Sequence, residues 1–475
     1  MQRNRRGTRI VAPTRSLGGP VEQVDVVVIG MGPGGEDLAE RLAEMHLDVV
    51  GIDQRLVGGE CPYFGCIPSK MMIRAGNALA EGRRIPGLAG DSRVMADWAP
   101  VAARIRNEAT DDWNDQVAVD RFEGKGGRFV RGHGRLTGPK TVAVGDREFE
   151  ARRAIVLNTG TDPAIPPIPG LAGTPLWTNR EAVQATQAPA SLIVLGGGAI
   201  GVELAQVFAR FGSHVTVVEA APQLLAFEEP DAGALLADVF AREGIDVRVR
   251  VSATAVRHDG TGFSLDLADG NTLQAEQLLV ATGRKVDLGA VGLDTVGVDI
   301  TARAVPVDTR MRVAPGIWAI GDMTGKGAFT HVSMYQADIA LADILGVDGV
   351  TAAEYDALPR VTFTDPEIGS VGITQAQATA AGIDVLVGRA ALPSTARGWI
   401  HGPGNDGLIK LIADADRGVL VGATTVGPSG GEMLSALVVA VHAAVPLERL
   451  RSMIYAYPTF HRGILDAVKD LRRPA

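Results

Sequence analysis

The chain has two cysteines in 475 residues, and they stand five positions apart in Gly58-Gly59-Glu60-Cys61-Pro62-Tyr63-Phe64-Gly65-Cys66-Ile67-Pro68-Ser69-Lys70. Two thiols so placed suit a dithiol–disulfide couple. A regular helix would part Cys61 and Cys66 by about 7.5 Å along its axis, beyond the roughly 7 Å Cα limit for a disulfide, so that chemistry requires a distorted turn. Pro62 and Pro68 each disturb a helical ladder, and Gly65 permits unusual dihedrals. The pattern predicts a helix from Ser69 through Glu81. Its N-terminal dipole, with Lys70 close by, favours a thiolate at the preceding cysteine. The same residues also fit two buried reduced thiols, or half of a metal site. A zinc site draws Cys and His ligands from paired clusters, and no second cluster follows, so no metal is expected.

The other residues spaced for chemistry are glycines and acids. Val24-Asp25-Val26-Val27-Val28-Ile29 reads as a buried parallel strand, and Gly30-Met31-Gly32-Pro33-Gly34-Gly35 follows it directly as G-x-G-x-x-G. A helix through Met45, a strand Val49–Ile52 and Asp53 complete the unit, with Asp53 placed 23 residues after Gly30. Gly30, Gly32 and Gly35 let the backbone approach a pyrophosphate at the helix N-terminus, while Asp53 can accept from a ribose hydroxyl. The pattern recurs in Leu192–Leu195, Gly196-Gly197-Gly198-Ala199-Ile200-Gly201, a helix to Phe211, a strand His214–Val218 and Glu219. Gly196, Gly198, Gly201 and Glu219 thus predict a second dinucleotide site. Glu219 accepts from a free 2'-hydroxyl and repels a 2'-phosphate, and Ala220 and Ala221 supply no offsetting cation, which favours NAD(H).

These sites need a chain of several domains. A length of 475 residues exceeds one core and predicts about three domains. With 46% hydrophobic and 21% charged residues and 59 glycines, the composition suits an α/β protein with many tight strand-to-helix turns. The net charge of -9 argues against a nucleic-acid partner. Residues 1–22, with Arg3, Arg5, Arg6, Arg9 and Arg15, read as a disordered extension, an Arg-rich organelle transit peptide being the alternative. They contain no apolar core for a secretory signal. No 18-residue apolar run occurs, so no membrane span is expected. A lone CxxxxC pair suits a reducing, cytoplasmic setting.

The Gly59–Lys70 segment resembles the G-x-C-x4-C-x-P-S-K element of the class I pyridine nucleotide-disulfide oxidoreductases, flavoproteins that include dihydrolipoamide dehydrogenase and glutathione, mycothione and mercuric reductases. The resemblance runs from about residue 24 to 470. It implies two Rossmann-like domains, the first for FAD and the second for the nicotinamide coenzyme, and an α+β C-terminal dimerisation domain. Ile155-Val156-Leu157-Asn158-Thr159-Gly160 and Leu279-Val280-Ala281-Thr282-Gly283-Arg284 resemble the strand-end A-T-G elements, which carries Gly160 and Gly283 over as cofactor-binding positions. Gly316–Asp322 resembles the second FAD motif, with Asp322 a flavin ligand. Lys70 and Glu203 match the ion pair beside the flavin N5. By the same resemblance Cys66 lies beneath the flavin and Cys61 faces substrate. From Leu358 on, Pro359–Gly369 resembles the start of an interface domain that builds a homodimer and completes the partner's active site. The expected division is 23–160 with 285–355 for FAD, 161–284 for NAD(P), and 356–475 for dimerisation.

One segment departs from that pattern. Family disulfide reductases end in H-P-T-x-x-E, whereas here the chain reads Tyr457-Pro458-Thr459-Phe460-His461-Arg462. A phenol, with a pKa near 10, is a poor base at neutral pH beside an imidazole at about 6.5. Tyr457 can instead donate a hydrogen bond, with Arg462 adding positive charge, or the tail packs without chemistry. Pro458 predicts a helix start, one turn of which would bring in His461 as a displaced base or as a dimer-surface histidine. His331 and His442 have no ligand spacing. Mercuric reductases also carry tyrosine there, but their extra C-terminal cysteine pair has no counterpart in Asp470–Ala475. The expected activity is electron transfer between NAD(H), FAD and the Cys61–Cys66 disulfide, acting on a small disulfide or dithiol. Alternatives are a quinone or dye reductase that bypasses the cysteines, mercury reduction, and a non-catalytic flavin-bearing dimer.

Overall fold

The computed structural model describes residues 21–349 and 351–474; the predicted Arg-rich extension lies outside them through residue 20. The chain forms two compact units, one from residues up to Val57 with Gln116–Gly160 and Asp287–Thr351, the other from Gly58–Asp115, Thr161–Val286 and Ala352 onward.

The first unit is built on a twisted, mainly parallel sheet. Glu22–Ile29 lies at its centre, between Arg147–Leu157 and Val49–Asp53, all parallel. Arg128–Arg131 continues the sheet on one side and Ile317–Ala319 on the other, again parallel. Val24, Val26, Val27 and Val28 are fully buried, as a strand covered on both faces requires. The strand opens at Glu22, two residues before the predicted Val24, because Glu22 pairs in register with Phe149 and its carboxylate meets Arg128 and Arg147. The helices Pro33–Glu44 and Thr330–Ile344 approach closely at Gly34, where a Cβ would stand 2.3 Å from Ser333 Oγ.

The second unit contains three sheets that matter for the site. Four parallel strands run in the order Asp246–Val249, His214–Glu219, Ser191–Leu195, Gln277–Val280. Three antiparallel strands, Ala253–His258, Phe263–Leu267 and Thr272–Ala275, follow in chain order. The C-terminal part is a five-stranded antiparallel sheet from Pro359 to Gly427 with helices Gly430–His442 and Gly463–Lys469 packed on it. The molecule therefore combines an α/β fold with an α+β C-terminal region.

Residues 58–115, which the sequence reading attaches to the first dinucleotide fold, group with this second unit. The reason is a shared core: Met72, Ile73, Trp98, Val101 and Ile105 bury with Val202, Val207 and Phe208. Trp98 stacks on Phe208 at 5.0 Å between centroids and meets Phe211 edge-on at 4.9 Å. This core holds the helix Cys66–Arg84 against the helix Ala199–Arg210.

Candidate functional site

The cysteines occupy the distorted turn that their spacing demands. Cys61 lies in a four-residue helix, Glu60–Tyr63, and Cys66 is the first residue of the helix Cys66–Arg84, with a break at Phe64 and Gly65 between them. A Cβ at Gly65 would stand 3.1 Å from the Glu60 carbonyl oxygen, so the loop folds tightly on itself. Cys61 is half-buried and Cys66 exposed. The second helix begins three residues earlier than the predicted Ser69. Pro68 falls in its first turn, where proline forfeits no intrahelical hydrogen bond, and Cys66 consequently sits within the positive end of the helix dipole.

One turn further along, Lys70 Nζ donates to Glu203 Oε2 at 2.8 Å. Glu203 is buried, and its other oxygen accepts from the Phe363 amide at 2.8 Å. Lys70 Nζ also lies 4.6 Å from the Phe363 ring centroid. The cation predicted to act beside the cysteines is thus fixed by a carboxylate whose two oxygens are both engaged. Beneath this pair, Gln206 clasps the Asp365 backbone with two 2.8 Å bonds, and Arg210 donates to the Asp365 carboxylate at 2.8 Å. Arg84, on the cysteine helix, donates to the same carboxylate at 2.7 Å. Gln206, Arg210, Phe363 and Asp365 escaped the sequence reading because they meet across roughly 155 positions, with no local signal.

Two glycine turns form matching cradles. Gly30 and Gly196 take φ +94° and +115°, and a Cβ at either would collide with a neighbouring strand-end carbonyl, Asn158 O at 2.3 Å or Ala281 O at 2.4 Å. Gly35 and Gly201 sit against the carbonyls of Gly30 and Gly196, where a Cβ would come within 2.2 and 2.0 Å. The middle glycines differ: Gly198 faces open space, and Gly32 has only Asn158 Nδ2 at 3.2 Å. First and third positions close the turn, and the second leaves the approach that a pyrophosphate requires. Both folds therefore fit a dinucleotide, and Gly160 and Gly283, with positive φ and nothing near their Cβ positions, leave the strand ends open in the same way.

The two acids are held alike. Asp53 accepts from Met31 N at 2.8 Å and Arg55 N at 2.7 Å, and Glu219 accepts from Gly197 N and Ala221 N, both at 2.6 Å. Each carboxylate thus tethers its glycine turn to the following strand end. Burial pushes the Asp53 carboxyl above its ordinary range, while the two amides act in the opposite direction. Asp322 opens a short 3-10 turn directly after Gly321, whose amide donates to the buried Gln336 at 2.7 Å. Asn158 is the residue sequence reasoning passed over here: its side chain is buried between Gly30 and Ser333.

The C-terminal segment differs from expectation. Tyr457 and Pro458 lie in a turn across a cis peptide bond, and Thr459 is extended at φ -134°, ψ 157°. Pro458 therefore starts no helix, and His461 sits in the 3-10 turn Phe460–Arg462. Thr459 Oγ1 donates to Ala456 O at 2.7 Å, which holds the chain out of helical register. Tyr457 is 71% exposed with the Arg462 guanidinium 5.8 Å from its ring centroid, whereas His461 turns to the Tyr455 ring at 6.0 Å. The structure brings together Tyr457 and Arg462, not Tyr457 and His461. Val439, Met453 and Ile454 are exposed apolar residues of the same region. Among the described residues no three His, Cys, Asp or Glu side chains gather as a metal site, and no helix is long and apolar enough to cross a membrane.

Comparison with known proteins agrees with this geometry. Residues 24–337 match the pyridine nucleotide-disulphide oxidoreductase family and residues 358–468 its dimerisation domain. The chain is 30% identical to the dihydrolipoyl dehydrogenase of Thermus scotoductus, over 95% of this chain and 98% of that one. It is 32% identical to the mercuric reductase of Acidithiobacillus ferrooxidans, over 95% and 83%. The HOCl-induced flavoprotein disulfide reductase RclA from Escherichia coli superposes with a TM-score of 0.82 at 27% identity, covering 94% of this chain and 99% of that one. LpdA from Mycobacterium tuberculosis gives the same TM-score, identity and coverage. With both family regions matched and the paired glycine cradles in place, the chain belongs to the class I pyridine nucleotide-disulfide oxidoreductases, FAD-dependent enzymes that use NAD(P)H and carry a dimerisation domain.

Proposed function

We propose that the protein is an NADH-preferring oxidoreductase that exchanges electrons with a small disulfide or dithiol through Cys61 and Cys66, and that Tyr457 and Arg462 replace the usual histidine–glutamate pair. The observation that carries this reading is Cys66 at the start of a 19-residue helix, one turn before a lysine locked to a buried glutamate. FAD, held by Gly30, Gly32, Gly35, Asp53, Gly160 and Asp322, supplies two-electron transfer between nicotinamide and cysteines. The Cys61 thiolate attacks one sulfur of the substrate disulfide, breaking its S–S bond and releasing one thiolate, which takes a proton. The Cys66 thiolate then attacks the Cys61 sulfur, re-forming the protein disulfide and expelling the second thiolate, which takes a proton from solvent. Tyr457 donates a hydrogen bond to the departing thiolate, and Arg462 offsets its charge, in a homodimer whose C-terminal segments complete the partner's site. A protein that reduced quinones without the cysteines would keep its activity when both are replaced by serine.

Two outcomes test the cofactor assignments. Asp53→Asn is expected to weaken FAD binding by about 10- to 100-fold, the loss of a charge-assisted acceptor worth roughly 1.5–3 kcal/mol. Fluorescence titration of the apoprotein measures it, and unchanged affinity removes Asp53 from the ribose. Flavin reduction by NADH should exceed that by NADPH by about tenfold or more, since the Glu219 carboxylate meets a 2'-phosphate with like charge. Glu219→Gln with Ala220→Arg should erase the preference in stopped-flow absorbance; an unaltered ratio places the discrimination elsewhere.

A further inference from the structure

We infer that Glu60 and Arg180 form a balanced charge couple that tunes the reactivity of Cys61 and, with Asn179, fixes the loop that carries it. This deepens the functional reading, since it rests on Cys61 being the thiol that meets substrate.

Glu60 immediately precedes Cys61 and opens its short helix. Arg180 Nε donates to Glu60 Oε1 at 2.6 Å, and its Nη2 meets the same oxygen. Glu60 Oε2 accepts from Asn179 Nδ2 at 3.0 Å. The same amide nitrogen donates to Phe64 O at 2.8 Å, so one buried side chain ties both flanks of Cys61-Pro62-Tyr63. Trp113 Nε1 adds a bond to Tyr63 O at 3.1 Å. A carboxylate one residue from a reacting thiol would by itself oppose thiolate formation. Arg180 cancels that charge, and it is held there by a second acid, since its Nη2 donates to Asp162 Oδ1 at 2.9 Å.

Other charged side chains stand on this corner as well. Arg284 Nη2 lies 3.8 Å from Glu60 Oε2. On the cysteine helix, Lys70 is committed to Glu203 and Arg74 is exposed. Glu181 turns back to accept from the Thr178 amide at 2.7 Å. Glu60 and Arg180 retain side-chain exposures of only 28% and 23%, so solvent screens the pair less than it would a surface pair. Burial alone would lower the affinity of Arg180 for its proton, but the Glu60 and Asp162 carboxylates more than offset this and keep the guanidinium charged.

The test is the pH dependence of Cys61 alkylation in the NADH-reduced FAD holoenzyme under anaerobic conditions, with iodoacetamide as probe and mass spectrometry separating Cys61 from Cys66. Glu60→Gln is expected to move the Cys61 midpoint down by about half a unit to one unit, and Arg180→Gln to move it up by a similar amount. The double variant should return close to the parent, and Arg180→Lys, which keeps the charge, should stay near it. A clamp that only supports the loop would shift both single variants in the same direction. That result, or midpoints that do not move, overturns the inference. Flavin content reports folding, and if Arg180→Gln loses flavin, Glu60→Gln still carries the sign, with Arg180→Lys as the charge-keeping control. Because alkylation is read without turnover, a shift of the predicted sign in a protein whose disulfide reduction survives Cys61→Ser supports the charge couple and rejects the functional reading instead.

Discussion

Cys61→Ser is expected to lower NADH-dependent disulfide turnover by about a thousandfold or more, the scale at which removing a covalent nucleophile acts, while the flavin still accepts electrons from NADH. The reason lies in the division of labour along the loop. Cys66 lies at the N-terminus of the long helix, near Lys70 and its buried partner Glu203, where a thiolate is electrostatically favoured. Cys61 lies before the break, on a separate turn held from Asn179 and Arg180. Removing Cys61 should therefore leave a stable Cys66 thiolate and retain the long-wavelength charge-transfer band. Cys66→Ser should abolish turnover and band together. Absorbance spectra with a standard disulfide assay separate the cases, and loss of the band in Cys61→Ser would exchange the two roles.

The second large effect concerns the frame. Lys410→Met is expected to cost about 3–5 kcal/mol of stability, because it leaves a buried charge unpaired. Lys410 Nζ donates to Glu229 Oε2 and to Asp231 Oδ2, each at 2.6 Å, and Lys410 and Glu229 are both almost wholly buried. The remaining Glu229 oxygen accepts from Gln375 N at 2.6 Å. This joint ties the helix Pro230–Arg242, which packs beside the four-stranded parallel sheet, to the C-terminal sheet. Thermal denaturation should show the loss, and Lys410→Met with Glu229→Gln should recover part of it. A midpoint equal to the parent's would mean that water reaches the pair.

The same joint predicts a pH dependence. Burial would raise the Asp231 carboxyl, but the hydrogen bond and charge of Lys410 more than offset it, so the group lies below its ordinary range. A depressed carboxyl stabilises the fold above the unfolded pKa, and that contribution is lost as pH falls through the folded value. Acid unfolding of the parent should therefore steepen below the ordinary carboxylate range, and Lys410→Met should lack that share of the slope.

Legible from the residues themselves was whatever the chain holds within about thirty positions, while the Lys70–Glu203 pair, 133 positions apart, was expected only from the family resemblance. The strands leading into Gly30 and Gly196, the glycine turns that follow them and the acids at 53 and 219 are local patterns, and they reappear as two cradles of similar design. The distorted cysteine turn followed from the spacing a disulfide would need together with Pro62, Gly65 and Pro68. What the sequence hid were partners far apart along it: Glu60 with Arg180, Glu203 with the Phe363 amide, and Asp365 with both Arg84 and Arg210. Proline misled twice. Pro68 lies inside the first turn of a helix expected to begin after it, and Pro458, expected to start one, lies in a turn closed by Thr459. Proline suits turns and first helical turns alike, so the neighbouring backbone decides between them.

The most direct measurement of the central claim is an anaerobic NADH titration of the flavoprotein followed by absorbance. Uptake of two electrons into a stable species with a long-wavelength charge-transfer band is the predicted result, with Cys61 and Cys66 reduced while the flavin stays oxidised. Direct bleaching of the flavin by the first equivalent of NADH, with no such band, would contradict it and take the cysteine pair out of the electron path.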